Sequence, residues 1–234
     1  MTAPFDPASV RSARPAIGLP DGAFDAPRPS RQPSAYRRFG KRMMDMALVI
    51  AAAPFVVSFV ALLAALIAFD GGKPFFSQLR VGRNGRTYRM WKLRTMVVDA
   101  DERLRLHLEE NPEAMAEWLS KQKLRNDPRV TAMGRFLRKT SLDELPQLWN
   151  VFIGDMSLVG PRPIMPEQQA LYTGADYYDL RPGITGPWQV YARNTSSFAD
   201  RAAFDASYHR ALDLGTDARL IFATLWVVFQ GTGH

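Results

Sequence analysis

An uncharged, apolar segment at residues 46–69 constrains the fold of this chain most, and it reads MALVIAAAPFVVSFVALLAALIAF. It reaches the roughly 20 residues that an α-helix needs to cross the hydrocarbon core of a bilayer. Pro54 lies inside the segment and removes one helix hydrogen bond, which predicts a break there. Basic residues flank both ends, whereas a spanning helix should carry its positive charge on one side. We therefore expect a re-entrant membrane helix, broken at Pro54, rather than a simple transmembrane anchor.

The segment before this helix has a different composition. Residues 1–36 are rich in Pro, Ala, Ser and Arg and show neither helical nor strand periodicity. These features predict a disordered basic tail, and the first thirty residues contain no apolar core typical of a signal peptide. The chain thus divides into a tail over 1–36, a re-entrant membrane helix over 37–72 and a folded domain over 73–234.

The charge of the chain narrows the class of partner. The formal net charge is +7, which indicates an anionic partner such as nucleic acid, lipid or a phosphorylated small molecule. Residues 1–42 carry eight Lys or Arg against three Asp, so the excess lies mainly before the apolar segment, and the pattern favours anionic membrane lipid and no nucleic acid. The absence of Cys excludes disulfides and thiolate metal sites, and the three His have no zinc-ligand spacing. No P-loop or G-x-G-x-x-G motif is present.

The folded domain combines helical and strand patterns. Turn signals between β-prone runs over 71–96 predict a small β-hairpin. Helical spacing predicts interfacial helices over 98–124, with a break at Asn111-Pro112, and further helices over 130–138, from 141 and over 218–229. Residues 155–195 are rich in Pro and Gly and are expected to form loops. The predicted fold class is α+β: a mostly helical monotopic membrane protein with a Pro-broken re-entrant helix, a small β-hairpin and interfacial amphipathic helices.

Two adjacent acids, Asp143 and Glu144, lie in the segment KTSLDELPQLWN over 139–150. Ser141 and Glu144 have the spacing of a capping box, in which each side chain pairs with the other's backbone N–H. The same position suits an anionic nucleophile, since helix-terminal N–H groups and nearby cations keep a carboxylate ionised. Pro146 distorts the helix at this point. The spacing alone leaves cap and reaction centre both open.

Arginines in rigid loops surround these acids in the sequence. The loops read KLRT over 92–95, GPRP over 160–163 and RPGITG over 181–186. Arg162 lies between two prolines and Arg181 precedes another, so the backbone restricts where each guanidinium points. Arginine clusters bind diphosphates through paired hydrogen bonds. Adjacent carboxylates beside such a cluster also suit Mg²⁺, which binds one or two carboxylates together with substrate phosphates.

Several motifs in order resemble those of the bacterial sugar transferases, also called small monotopic phosphoglycosyl transferases, of the exopolysaccharide-initiating type. The likeness covers residues 41–233. It rests on the Pro-broken apolar helix and on KRMMD (41–45), WKLRTM (91–96), SLDELPQLWNV (141–151), GDMSLVGPRP (154–163) and RPGITGPWQV (181–190).

The resemblance implies an undecaprenyl-phosphate sugar-1-phosphate transferase. Such an enzyme moves a hexose 1-phosphate from a UDP-sugar to undecaprenyl phosphate, releases UMP and starts exopolysaccharide assembly. It implies a covalent Asp-phosphosugar intermediate, Mg²⁺ as cofactor, and a bacterial inner-membrane location with the active site on the cytoplasmic face. The domain over 73–234 would then be the cytoplasmic catalytic domain, and a homo-oligomer is compatible with this class.

The family's motifs also assign roles residue by residue. They imply that Asp143 and Glu144 are the catalytic dyad and the Mg²⁺ ligands, with Asp143 as nucleophile. They associate six cationic residues with phosphate or substrate binding, namely Lys92, Arg94, Arg138, Arg162, Arg181 and Arg193. Two departures affect these expectations: Ala53-Pro54 stands where the family commonly has Ser-Pro, and Ala192-Arg193-Asn194 where it commonly has Gly-Arg-Asn.

Two other functions stay open from the residues. A membrane-anchored adaptor protein could use the basic tail and amphipathic helices to recruit partners, and it would not need Asp143. A lipid-linked phosphatase could use the same acids with water as the final acceptor. The products of the reaction separate these alternatives.

Overall fold

A computed structural model describes residues 34–69, 71–121, 124–192 and 196–229. The predicted disordered tail lies outside these residues except for its last three positions, and Arg193 lies outside them as well.

The described chain is mostly helical and contains two small two-stranded sheets. The helices are α1 (Lys41–Ala68), α2 (Ala100–Glu110), α3 (Pro112–Lys121), α4 (Ala132–Thr140), α5 (Gln147–Ile153), α6 (Asp176–Asp179), α7 (Pro187–Tyr191), α8 (Arg201–Ala211) and α9 (Leu214–Phe229). The strands are β1 (Phe75–Val81), β2 (Thr87–Leu93), β3 (Ser157–Val159) and β4 (Gly183–Thr185). A π-helical turn, Tyr36–Gly40, leads into α1, and 3₁₀ turns span Leu142–Glu144 and Pro166–Leu171.

The predicted β-hairpin is confirmed. Strands β1 and β2 pair antiparallel, with Phe75 opposite Leu93 and Val81 opposite Thr87. The turn places Asn84 at φ 59° and Gly85 at φ 74°, the left-handed region that Asn and Gly tolerate best. The helix break at Asn111 is confirmed as well, because α2 ends at Glu110 and α3 starts at Pro112.

Helix α1 corrects one detail of the prediction. The sequence predicts a break at Pro54, but α1 continues through Pro54 without interruption. A proline inside a helix removes one N–H donor and crowds the carbonyl four residues back, but the hydrogen bonds of the turns on either side keep α1 continuous. The helix from Tyr36 to Ala68 is long and apolar enough to cross a membrane. Its re-entrant course stays a prediction.

Both ends of α1 pack on the same folded domain. Near its start, Val49 joins a core cluster that includes Met90 of β2. Near its end, Leu63 joins a second cluster that includes Leu93 of the same strand. Between these contacts the helix is largely exposed, and Phe55 is 80% exposed. Core clusters that contain residues of one short strand therefore include α1 residues on both sides of its exposed middle.

The second sheet corrects the expectation of loops over 155–195. Strands β3 and β4 pair in parallel, which joins the GDMSLVGPRP and RPGITG motifs. The backbones approach so closely that a Cβ on Gly183 would lie 2.1 Å from Gly160 N. A Cβ on Gly160 would likewise lie 2.3 Å from Arg181 O. Glycine is required at both positions because backbone atoms occupy the space of a side chain.

Candidate active site

The two acids lie on a 3₁₀ turn between α4 and α5, and the predicted capping box is absent. Ser141 has φ 56° and its N–H bonds back to Arg138 O, so it closes α4 and directly precedes the 3₁₀ turn Leu142–Glu144. Its side chain makes no cap hydrogen bond. Pro146 then separates the turn from α5. The structure therefore overturns the cap hypothesis for Ser141 and Glu144.

Asp143 is a buried carboxylate held among cations. It is only 8% exposed, and its Oδ2 lies 3.7 Å from Lys92 Nζ. Burial raises the pKa of Asp143 above its ordinary value, and the Glu144 charge acts in the same direction. Lys92 and Arg138 oppose this rise in the pKa. The result is a desolvated anion whose negative charge depends on two neighbouring cations.

Lys92 links the hairpin to both acids. Its Nζ lies 2.7 Å from Glu144 Oε1 in a partly buried ion pair. Lys92 projects from β2, one residue before Leu93, whose side chain is buried in the core. Successive side chains of a strand point to opposite faces, so packing of Leu93 on α1 fixes where Lys92 points.

Arg138 approaches the turn from α4. Its Nε donates to Thr95 Oγ1 at 2.9 Å, which orients the guanidinium. Burial lowers the pKa of Arg138, and Asp143 is the group that most opposes this shift. The predicted residues Lys92, Arg138, Asp143 and Glu144 are thus brought together by the fold.

A second cation cluster lies next to the dyad, formed by Arg80, Arg162 and Arg201. Burial lowers the pKa of Arg80 and brings that of Arg201 to about 10, and Arg162 is the charge that lowers both most. Glu144 in turn raises the pKa of Arg80, so this cluster and the dyad interact. The guanidiniums of Arg162 and Arg201 lie 5.6 Å and 4.1 Å from the Trp188 ring centroid.

Sequence reasoning missed Arg80, Trp188 and Arg201 as functional candidates. In the sequence, Arg80 is a cation within an otherwise β-prone run, two residues after Gln78. The side chains of Gln78 and Arg80 share one face of β1, and Arg80 Nη2 donates to Gln78 Oε1 at 2.6 Å. Within the described chain, Arg80 Nε, Arg201 Nε and both amide atoms of Gln189 are buried without a hydrogen-bond partner. Buried groups of this kind suit a polar ligand.

Arg94 and Arg181 lie elsewhere. Arg94 donates to Lys73 O at 2.8 Å and to Ile67 O at 3.1 Å, so it ties the end of α1 to the hairpin. Arg181 donates to Gly154 O at 2.8 Å. Burial lowers the pKa of Arg181, and the charges that affect it are those of Arg83, Arg42 and Asp45 rather than those of the dyad. The fold therefore does not bring Arg181 to Asp143.

The dyad offers donors that fit Mg²⁺. Among the described residues there is no group of three or more His, Cys, Asp or Glu side chains that could enclose a metal ion. Asp143 and Glu144 supply hard carboxylate oxygens, and one cation, the Lys92 ammonium, already lies against both. Mg²⁺ is commonly held by one or two carboxylates with the remaining positions filled by phosphate oxygens and water. The residues present match that pattern.

Fold and site together define a class of protein: a long apolar helix packed on a small α+β domain that holds an acid dyad among lysine and arginine. The family model described as bacterial sugar transferase matches residues 36–231, and the chain belongs to that family. The resemblance found in the sequence motifs is thereby confirmed.

Named relatives agree with this membership. The chain is 44% identical over 198 residues to the UDP-galactose-lipid carrier transferase of Erwinia amylovora, covering 84% of this chain and 42% of that protein. It is 42% identical over 196 residues to the exopolysaccharide production protein ExoY of Rhizobium meliloti, covering 82% of this chain and 87% of that protein. It is 34% identical over 223 residues to the undecaprenyl-phosphate glucose phosphotransferase of Komagataeibacter xylinus, covering 87% of this chain and 38% of that protein. The chain spans about two fifths of the first and third relatives and most of the second.

Proposed function

We propose that this chain is a phosphoglycosyl transferase that moves a hexose 1-phosphate from a UDP-sugar to undecaprenyl phosphate. The observation that carries the proposal is Asp143, a buried carboxylate 3.7 Å from the Lys92 ammonium, in a chain of the bacterial sugar transferase family. The names of the relatives from Erwinia amylovora and Komagataeibacter xylinus give the donor and acceptor classes. The Rhizobium meliloti relative is named an exopolysaccharide production protein, which supports a role for this chain in exopolysaccharide assembly.

In the first step, an Asp143 Oδ atom attacks the β-phosphorus of the UDP-sugar. An Oδ–P bond forms, and the bond from that phosphorus to the oxygen bridging the α-phosphate breaks. UMP leaves with the electron pair of that bond. The attacking carboxylate must be ionised, and Lys92 and Arg138 support its charge against the cost of burial.

In the second step, a phosphate oxygen of undecaprenyl phosphate attacks the same phosphorus. The Oδ–P bond breaks, which restores the Asp143 carboxylate and releases the sugar on a polyprenyl diphosphate. Because UMP leaves before the lipid arrives, one buried acid reacts with a soluble and a membrane substrate in turn. Water as acceptor would instead make the protein a phosphatase.

The diphosphate requires cations beyond the dyad. Arg80 lies within electrostatic range of Glu144 and of Arg162, and these two guanidiniums would bind the phosphates and stabilise charge on the departing UMP. Asp143 and Glu144 would hold Mg²⁺, which spreads negative charge over the phosphates when bound. Lys92 would then shift its contact from Glu144 toward the substrate.

We also propose a monotopic arrangement on the cytoplasmic face of the inner membrane, and the packing of α1 supports the one-sided attachment. Residues of the same strand, β2, share one core cluster with Val49 and another with Leu63. A helix that crossed a bilayer between these two residues could not contact one soluble domain on both sides. The exposed middle around Phe55 would face the membrane while both ends of the helix stay on the folded domain, which keeps the dyad near the lipid headgroups.

Release of UMP by the full-length protein in detergent tests the proposal. We expect UMP from at least one member of a UDP-sugar panel only when undecaprenyl phosphate and Mg²⁺ are present in a multiple-turnover assay. Chelation should abolish turnover, and Mg²⁺ should raise the melting temperature of the wild type but not of Glu144→Gln. An adaptor would release no UMP with any donor. A phosphatase would release free sugar phosphate without the lipid.

A further inference from the structure

A basic cavity of about 710 Å³ lies at the start of α1, away from the dyad. It is bounded by the first turns of α1, the hairpin turn and the segment leading into β4. Six cationic side chains line it: Arg37, Arg38, Lys41, Arg42, Arg83 and Arg181. Only two carboxylates, Asp45 and Asp179, line it with them. The cavity therefore has a large excess of positive charge.

The protein itself uses only part of this charge. Lys41 pairs with Asp217 at 2.9 Å, and Arg42 donates to Phe152 O at 2.8 Å at the end of α5. Asp45 accepts from Ser157 Oγ at 2.7 Å and from Leu158 N. These contacts are structural.

Two of the guanidiniums remain free in this network. The guanidinium groups of Arg38 and Arg83 donate to no acceptor within the described residues. Arg83 also lies close enough to Arg181 to lower the pKa of Arg181. Like charges held together around a cavity favour an anionic ligand.

The rim of the cavity is apolar on one side. Phe39 is 66% exposed and Met43 is 70% exposed, and both line the cavity. From Met43 an exposed stripe continues along α1 at helical spacing through Ala47, Ile50 and Pro54. The stripe thus leads from the cavity into the apolar part of the helix. Basic cavity and apolar stripe together match a ligand with an anionic head and a hydrocarbon tail.

We propose that this cavity binds the headgroup phosphate of an anionic glycerophospholipid, with one acyl chain lying along the exposed stripe of α1. The cavity shares no lining residue with the dyad or with the cluster around Arg162. It lies at the C-terminal end of α5, whereas Asp143 precedes the N-terminal end. The acceptor lipid must bring its phosphate to Asp143, so the lipid in this cavity is a structural ligand. The distinction from the acceptor lipid rests on the proposed function, whereas lipid binding in the cavity does not.

Lipid titration of the full chain in detergent micelles, followed by native mass spectrometry, tests this site. Micelles of neutral detergent have no anionic surface, so diffuse attraction to a membrane does not contribute. We expect the wild type to retain one phosphatidylglycerol and to bind phosphatidylcholine much more weakly. The variant Arg38→Gln/Arg83→Gln should bind phosphatidylglycerol about thirtyfold more weakly, from a factor of roughly five for each arginine.

The matched control is Arg86→Gln/Arg89→Gln, which removes two exposed cations of the same hairpin that do not line the cavity. Its affinity should stay within about twofold of the wild type. Equal weakening in both variants would overturn the site, as would displacement of the lipid by UDP. Binding of free glycerol phosphate as tightly as the lipid would overturn the role of the stripe. Thermal unfolding checks the fold, and Arg83→Gln alone, on an exposed turn, repeats the test if the double variant unfolds.

Discussion

Lys92 Nζ lies 2.7 Å from Glu144 Oε1, and the same ammonium is 3.7 Å from Asp143 Oδ2. One cation from the hairpin therefore interacts electrostatically with two adjacent acids, at a shorter distance with Glu144 than with Asp143. Glu144 is directly paired, whereas Asp143 is buried and only loosely neutralised. This asymmetry supports the different roles that we propose for the acids: Asp143 as the nucleophile and Glu144 as the residue that holds a cation.

Substitution of Lys92 should alter the pH dependence of UMP release. Burial already raises the pKa of Asp143, so activity should fall on the acid side at a higher pH than an ordinary aspartate would give. Lys92→Met removes a charge that lowers this pKa, so the acid limb of kcat/KM should move to still higher pH. Lys92→Arg should partly restore it. A matched Lys139→Met change at an exposed position should leave the acid limb of kcat/KM at its wild-type pH. If Lys92→Met also left the acid limb unchanged, Lys92 would not be the cation that lowers the pKa of Asp143.

Asp143→Asn should stabilise the fold at neutral pH. The folded-state pKa of Asp143 is raised, so the folded protein binds more protons than the unfolded chain above the ordinary aspartate pKa. Stability from this group is therefore present at low pH and is lost as the pH rises through the raised pKa. The neutral amide avoids the loss, so its melting temperature should exceed the wild type's at pH 7 and approach it near pH 3. A melting temperature of Asp143→Asn below that of the wild type at pH 7 would show that burial of the Asp143 carboxylate does not destabilise the fold.

Arg80 should matter to turnover although no sequence motif pointed to it. Arg80→Gln and Arg162→Ala should each raise the activation free energy by about 2 to 4 kcal/mol if these guanidiniums bind the diphosphate in the transition state. Arg89→Gln changes the same charge on the same hairpin at an exposed position, and it should retain kcat/KM. Steady-state UMP release measures all three. Equal effects of Arg80→Gln and Arg89→Gln would remove Arg80 from the site.

Cysteine labelling tests the course of α1. The chain contains no Cys, so each variant has a single thiol: Arg38→Cys before the apolar segment and Lys73→Cys after it. A membrane-impermeant maleimide should label both variants in inside-out vesicles and neither in right-side-out vesicles. Labelling from opposite sides would establish a spanning helix and contradict the monotopic arrangement.

Local patterns predicted the parts of the fold that depend on a few neighbouring residues. The Asn84-Gly85 turn adopts positive φ at both residues, which suits the short connection of the hairpin. Pro112 starts a helix because its missing N–H is not needed in a first turn. The dyad with Lys92 and Arg138 was found from adjacent acids and basic motifs.

Long-range packing decided what the sequence could not predict. Strands β3 and β4 contain three residues each and are separated along the chain, so neither has a periodic pattern of its own. Ser141 has the spacing of a cap, yet closure of α4 holds it in the left-handed region. Arg181 lies beside a proline, as Arg162 does, but its guanidinium donates a hydrogen bond to the carbonyl of Gly154. Each outcome depends on a contact between distant segments.

The mass of the intact protein after brief incubation with a UDP-sugar, without lipid acceptor, tests the central claim most directly. We predict an increase equal to one hexose phosphate, located on Asp143 by peptide mapping and lost when undecaprenyl phosphate is added. Asp143→Asn should show no increase, whereas Asp99→Asn, at an exposed acid, should show it in full. An adduct that persists in Asp143→Asn, or turnover of that variant at the wild-type rate, would contradict the account.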